Sequence, residues 1–246
     1  MPENKKFFPL LLVFVIFFAA DARAQMFSVG SEPGRIDVPS TAIYLGLEPA
    51  DFEYQGGVLG LPGSEGRFEF SGSLLRLRLE TPALQFFLAT GGSLTGIDDV
   101  SYFDAGVQAG YSFSIVRQKQ LTVRIPFQLL SSLTSVNTDE SIPNAPQFRQ
   151  GALAAGLGGF IGVRPSERVR VQASFVPHYG FSFATGGTFG GSLAKLDGRL
   201  RLFLDRVFGD TGLSLGYNYK FNRFDVDENE FDYDLRSHSI LVGITF

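Results

Sequence analysis

Two-residue alternation, in stretches long enough to cross a bilayer, constrains this chain more than any other feature. Over 237–246, Ile240, Val242, Ile244 and Phe246 share one face, while Ser239, Gly243 and Thr245 share the other. Strict alternation marks a strand with one apolar and one polar side. The pattern recurs over 121–129, with Leu121, Val123, Ile125, Phe127 and Leu129 against Thr122, Arg124 and Gln128. It recurs over 168–175, 194–204 and 213–221. Ten strands are predicted, near 41–49, 68–81, 83–92, 101–116, 120–134, 149–164, 168–178, 190–204, 211–222 and 236–246. The second changes phase at Leu74–Leu75, which predicts a bulge. Pro126 counts against a regular ladder in the fifth.

The first residues belong to a different kind of segment. Lys5 and Lys6 precede an unbroken apolar run, 7–20, and Ala22-Arg23-Ala24 has the small-x-small form of a cleavage site. This is the pattern of a secretory signal peptide, with a mature chain starting at Gln25. The run is shorter than the roughly 18 residues that a spanning helix needs. Three segments are expected: a signal peptide over 1–24, a periplasmic stretch over 25–40 and a barrel over 41–246. The first 24 residues carry Lys5, Lys6 and Arg23 against Glu3 and Asp21, a net of +1, so the rest stands at −5 against −4 for the whole chain. That mild acidity argues against a nucleic-acid partner. With no cysteine, thiolate chemistry and Cys-ligated metal are excluded.

Period-two strands also build soluble sandwiches, so the membrane reading needs further support. Many segments reach the roughly 9–11 residues of a tilted membrane strand. The predicted connections alternate between short (81–83, 117–119, 165–167, 205–210) and long (50–67, 93–100, 135–148, 179–189, 223–235), as periplasmic turns and extracellular loops do. The polar faces hold small residues, such as Gln150, Ala152, Ala154, Gly156 and Gly158, which suit a narrow lumen. Aromatic pairs such as Tyr217 with Tyr219 and Tyr102 with Phe103 suit interfacial girdles, built without tryptophan. The fold expected is all-β: a closed, antiparallel, up-and-down transmembrane β-barrel. Ten strands fit best, with eight and twelve the neighbouring even counts.

The terminal pattern Ile240-x-Val242-x-Ile244-x-Phe246 resembles the C-terminal assembly signal of bacterial outer-membrane proteins. As a whole the chain resembles the small OmpA/OmpX-type outer-membrane β-barrel superfamily, by pattern over most of the mature chain and by motif only in the last strand. The resemblance implies an integral outer-membrane location. It implies lipid and lipopolysaccharide as surroundings, periplasmic chaperones and the barrel-assembly machinery as partners in biogenesis, and a monomer.

Candidate chemistry is sparse. The inward positions predict a lumen charge network of Arg76, Arg78, Asp104, Arg124, Arg168, Arg170, Lys195, Asp197, Arg199, Arg201 and Lys220, with Glu48 and Glu80. Such charges must pair or be hydrated. Paired, they fill and stiffen the barrel; hydrated, they line a narrow porin-like channel that prefers anions. His178, where a strand meets a long loop, would need rim carboxylates such as Asp98 and Asp99 to act in an omptin-like hydrolase. His238 faces lipid near the outer rim, but Ser239 follows it directly and points the other way, against the His-x-Ser spacing of lipid A deacylases. The acidic stretch 223–235 begins like a calcium loop at Asp225 and Asp227, then has Glu230 and Arg236 where an EF-hand needs glycine and glutamate. No cofactor, metal or catalytic residue is expected. A structural or surface-interacting barrel is the first reading, a channel the second and an outer-leaflet hydrolase the third.

Overall fold

A computed structural model describes residues 41–57, 65–96, 100–138, 147–184, 189–225 and 232–246. The signal segment with Ala22, Ala24 and Gln25, the stretch 25–40, and Asp98, Asp99, Asp227, Glu228 and Glu230 lie outside them. The strands are β1 (Ala42–Gly57), β2 (Glu65–Glu80), β3 (Leu84–Gly91), β4 (Val100–Arg117) and β5 (Leu121–Thr138). β6 runs in two segments, Gln147–Leu157 and Gly159–Val163. Then come β7 (Val169–Ala184), β8 (Phe189–Phe208), β9 (Thr211–Asp225) and β10 (Asp232–Thr245). Each pairs antiparallel with its chain neighbour, and β1 pairs with β10 from Ala42↔Thr245 to Gln55↔Asp232. The ring is closed at ten strands, and the Phe246 N–H donates to Thr41 O at 2.9 Å to finish the seam.

The register sets the barrel's size. Tracing paired residues round the ring from Gln150, through Thr134, Asp104, Ala89, Arg76, Gly46, Leu241, Gly216, Arg201 and Gln172, returns to β6 at Gly162. That displacement tilts the strands by roughly 40° and gives a backbone radius of roughly 10 Å. Inward side chains from opposite walls therefore meet near the axis.

The outer wall has an apolar belt. Ile43, Leu45 and Leu47 on β1 face outward, as do Leu75 and Leu77 on β2, Leu215 on β9, and Ile240, Val242, Ile244 and Phe246 on β10. From Arg236 to Phe246, at about 3.3 Å per residue and the strand tilt, the belt is about 25 Å tall, the thickness of an outer-membrane barrel's apolar band. Tyr217, Tyr179 and Phe103 are exposed towards its upper edge, and Tyr111, Phe113, Phe208 and Phe246 towards its lower one. Tyr102 is not part of the girdle; it points inward and is buried.

Above the belt the pattern reverses. Asp51, Glu53, Glu69, Ser71, Arg149, Arg223 and Arg236 face outward, while Phe52, Phe70, Phe224, Tyr233 and Leu235 face inward and are buried. This reversal corrects several expectations. There is no bulge at Leu74–Leu75: the β1–β2 register is unbroken, with Leu74 buried and Leu75 41% exposed. The hydrophobicity changes side there, not the backbone. The irregularities fall instead at Ser114/Val116, Phe181/Phe183 and Thr211/Leu213. Parts of the predicted long connections 50–67, 135–148, 179–189 and 223–235 are strand, because an apolar-out template misses an apolar-in segment. β1 reaches Gly57 and β2 starts at Glu65.

The proline expectation has a precise counterpart. Gly158 donates its N–H to Pro126 O at 3.1 Å, but proline has no N–H to return the bond. β6 is interrupted at that residue, and Pro177 of β7 lies beside the same gap.

The belt yields a depth-dependent expectation. Val242→Arg, near mid-belt, should cost about 2–4 kcal/mol, whereas Glu53→Arg, above the belt, should cost about 1 kcal/mol or less. Equilibrium urea unfolding in phospholipid vesicles measures both.

Candidate functional site

Among the described residues charged side chains converge in the lumen, and its contents change with depth. At the short-turn end Arg170 forks onto Asp205 at 2.6 and 2.7 Å and lies 4.4 Å over the Phe203 ring, with Arg164 3.7 Å from the same carboxylate. Arg124 lies 5.0 Å over Phe160. Arg168 departs from the predicted set. It is exposed in the β6–β7 turn, with its carbonyl accepting the Asp205 N–H at 2.8 Å. Counting parity back from β7 put it inside, but the strand begins one residue later.

The middle of the lumen brings the other predicted residues together. Arg201 reaches Glu80 at 2.9 Å and lies 4.9 Å over Tyr44, whose hydroxyl meets Ser214 Oγ at 3.1 Å. Arg78 pairs with Glu80 at 2.7 Å and donates to Gln85 at 2.6 Å. Arg199 forks onto Asp197, 2.9 Å from Nε to Oδ1, and donates to Gln108 at 2.6 Å. Higher up, Arg76 forks onto Glu48, which also accepts from Ser237 Oγ at 2.6 Å. Lys220 pairs with Asp104, which accepts from Thr134 Oγ1 at 3.0 Å and lies 3.6 Å from Arg76.

Three side chains at the centre were not anticipated from the sequence. Phe87 sits among the cations, with Arg76 and Lys195 each 5.3 Å and Lys220 5.8 Å from its ring. An aromatic face offers these cations an electrostatic partner that is not a carboxylate. Gln85 accepts from both Arg78 and Arg199, and Gln108 also accepts from Arg199. Their inward parity was visible, but amides were not scored as members of a charge network. Phe87 broke the polar-inside rule and left no signal of its own.

Above this layer the lumen turns apolar. Leu74, Phe52, Phe70, Tyr102, Val136, Leu193, Phe224, Tyr233 and Leu235 form one buried cluster, with Phe52 and Phe224 5.7 and 5.8 Å from the Tyr233 ring. Inside the ring, a plug of hydrocarbon therefore covers a layer of paired charges.

The two histidines lie on opposite faces of the sheet. His178 is not at a strand end, as expected, but buried well inside β7. Its ring packs on Gly156, where an added Cβ would come within 2.4 Å of it, and meets Gln108 Nε2 at 3.2 Å. His238 faces outward beside Tyr217, whose hydroxyl is 2.6 Å from Nδ1, and Tyr219, with rings 5.2 Å apart. Ser239 is buried on the opposite side and accepts from Asn218 Nδ2 at 3.3 Å.

Removing one partner from a buried pair strands a charge. Asp104→Ala, which leaves Lys220 facing Arg76, should destabilise the barrel by about 3–5 kcal/mol. Asp104→Leu combined with Lys220→Met should lose clearly less than Asp104→Leu and Lys220→Met lose in sum, so urea unfolding of the two single variants and their double should be non-additive.

No family model matches the sequence, and no curated protein matches it either. Among solved structures, the chain resembles the outer membrane protease OmpT from Escherichia coli, with a TM-score of 0.52 at 10% identity over 89% of this chain and 99% of that one. Weaker likenesses include the translocator domain of the autotransporter NalP from Neisseria meningitidis (TM-score 0.39, 11% identity, 86% and 90% covered) and the outer membrane protein OprG from Pseudomonas aeruginosa (TM-score 0.35, 7% identity, 85% and 96% covered). At these identities the likeness is one of fold. With its closed ring of ten strands and its apolar outer belt, the chain has the fold of a small outer-membrane β-barrel.

Proposed function

We propose that this protein is a sealed anchor that presents an outer surface, and that it conducts nothing through its lumen. The observation that carries this reading is the filling of the lumen in successive layers. The Arg170–Asp205 pair, the central ion pairs and the apolar cluster ending at Tyr233 follow one another along the axis. A hydrated ion would have to break paired charges and then cross hydrocarbon, and both steps are unfavourable. Beyond the belt the strands carry a polar outer wall, and β1 alone continues from Asp51 to Gly57. That height carries the described strand ends beyond the belt, where a structural or surface-interacting role would be exercised.

In this reading the outward row of Ile240, Val242, Ile244 and Phe246 is the surface offered to the assembly machinery. The chain reaches it through chaperones after cleavage between Ala24 and Gln25. It works as a monomer among lipid and lipopolysaccharide. The fold shared with a protease does not bring that chemistry with it. Among the described residues neither histidine has a carboxylate hydrogen-bond partner, so no Asp–His base is assembled.

The test is planar-bilayer conductance of the purified barrel. Wild type should show no steady unitary current. Truncating Phe52, Phe70 and Tyr233 together to alanine should still leave the charge layer as a barrier. Stable, anion-selective current through wild type would replace this reading with the channel.

A further inference from the structure

We infer that the closed mid-lumen holds one small inorganic anion, a halide, as a structural counterion. The ion-paired layer is unbalanced. Arg76, Arg78, Lys195, Arg199, Arg201 and Lys220 face Glu48, Glu80, Asp104 and Asp197 there, an excess of two positive charges among the described residues. Each of the four carboxylates is already held by arginine or lysine.

Lys195 is where the excess is most concentrated. It is only 7% exposed, and among the described residues it has no hydrogen bond or ion pair, only the Phe87 face at 5.3 Å. A cavity of about 20 Å³ opens beside it, bordered also by Arg76, Arg78, Lys220, Asp197 and Asn218. That space suits one or two waters, and so a monatomic halide, but not a bulky organic anion. Asn218 Oδ1 has no partner in its present orientation. Turning the amide over would let the Ser239 hydroxyl donate to that oxygen and aim an N–H into the cavity.

Unbalanced charge in a low-dielectric interior is relieved by a counterion or by loss of a proton. Four cationic groups around one small space favour the counterion. The ion is bound and not conducted, because the apolar cluster lies above it.

Two measurements decide the matter. Crystals of the full barrel soaked in sodium bromide should give one anomalous peak in the cavity beside Lys195. Thermal unfolding in detergent should occur at higher temperature in sodium chloride than in sodium gluconate of equal ionic strength, with saturation. Lys195→Met, which removes the stranded charge, should abolish that chloride dependence. It should unfold in gluconate at or above the wild-type temperature. A cavity without a bromide peak, together with equal unfolding in the two salts, would overturn the proposal and leave a neutral Lys195. A chloride effect that survives Lys195→Met would also overturn it, by locating the effect elsewhere.

Discussion

Everything in this structure depends on the seam between β1 and β10. Hydrocarbon offers no partner for a backbone N–H or C=O, so a sheet can cross a bilayer only if its two edges bond to each other. The pairs from Ala42↔Thr245 to Gln55↔Asp232 provide that bond, and Phe246 extends it by one more at Thr41. Once the ring is closed, strand number and register fix its radius, and the radius fixes what can stand inside. A lumen this narrow leaves no room for bulk water between opposing side chains. The arginines and lysines of the inner wall are therefore within reach of acids on other strands, as Arg201 is of Glu80 and Lys220 of Asp104. The ion-pair layer follows from closure.

That layer contributes less to net stability than its number of contacts suggests. Desolvating each charge offsets most of the attraction it gains. What the pairs supply is mutual dependence: Asp104 touches Lys220, Arg76 and Thr134 at once, and Gln108 of β4 meets both Arg199 of β8 and His178 of β7. Rotamers are locked across the barrel instead of along one strand. Phe87 has a similar part, because three cations from three other strands lean on one ring.

The belt and the strand count were legible in the sequence because both rest on one rule, apolar outward every second residue, which a lipid surround enforces. The inner residues were legible by parity wherever a strand had been recognised. Arg76, Arg78, Asp104, Lys195, Asp197, Arg199, Arg201 and Lys220 fall where alternation put them. Arg168 did not, because parity says nothing about where a strand begins. His178 looked like a rim residue because the predicted strand ended at it, yet β7 runs on to Ala184 with Tyr179 and Phe181 still facing outward. The upper third was not legible as strand at all. There the solvent changes, and with it the sign of the rule.

That change of sign explains how one sheet serves two environments. A strand has period two at any height, so Leu74 and Arg76 share the inner face although one belongs to hydrocarbon and the other to an ion-pair layer. Below the belt's upper edge lipid takes the apolar side chains, and the polar ones must satisfy each other within. Above it water takes Asp51, Glu53 and Glu69, and the apolar ones must find each other within, as Phe52, Phe224 and Tyr233 do. No bulge is needed at the crossing, because the backbone ladder is indifferent to which side is greasy. The barrel is thus a membrane-type barrel continued upward as a soluble-type one, and the hydrocarbon core of the upper part is what closes the lower.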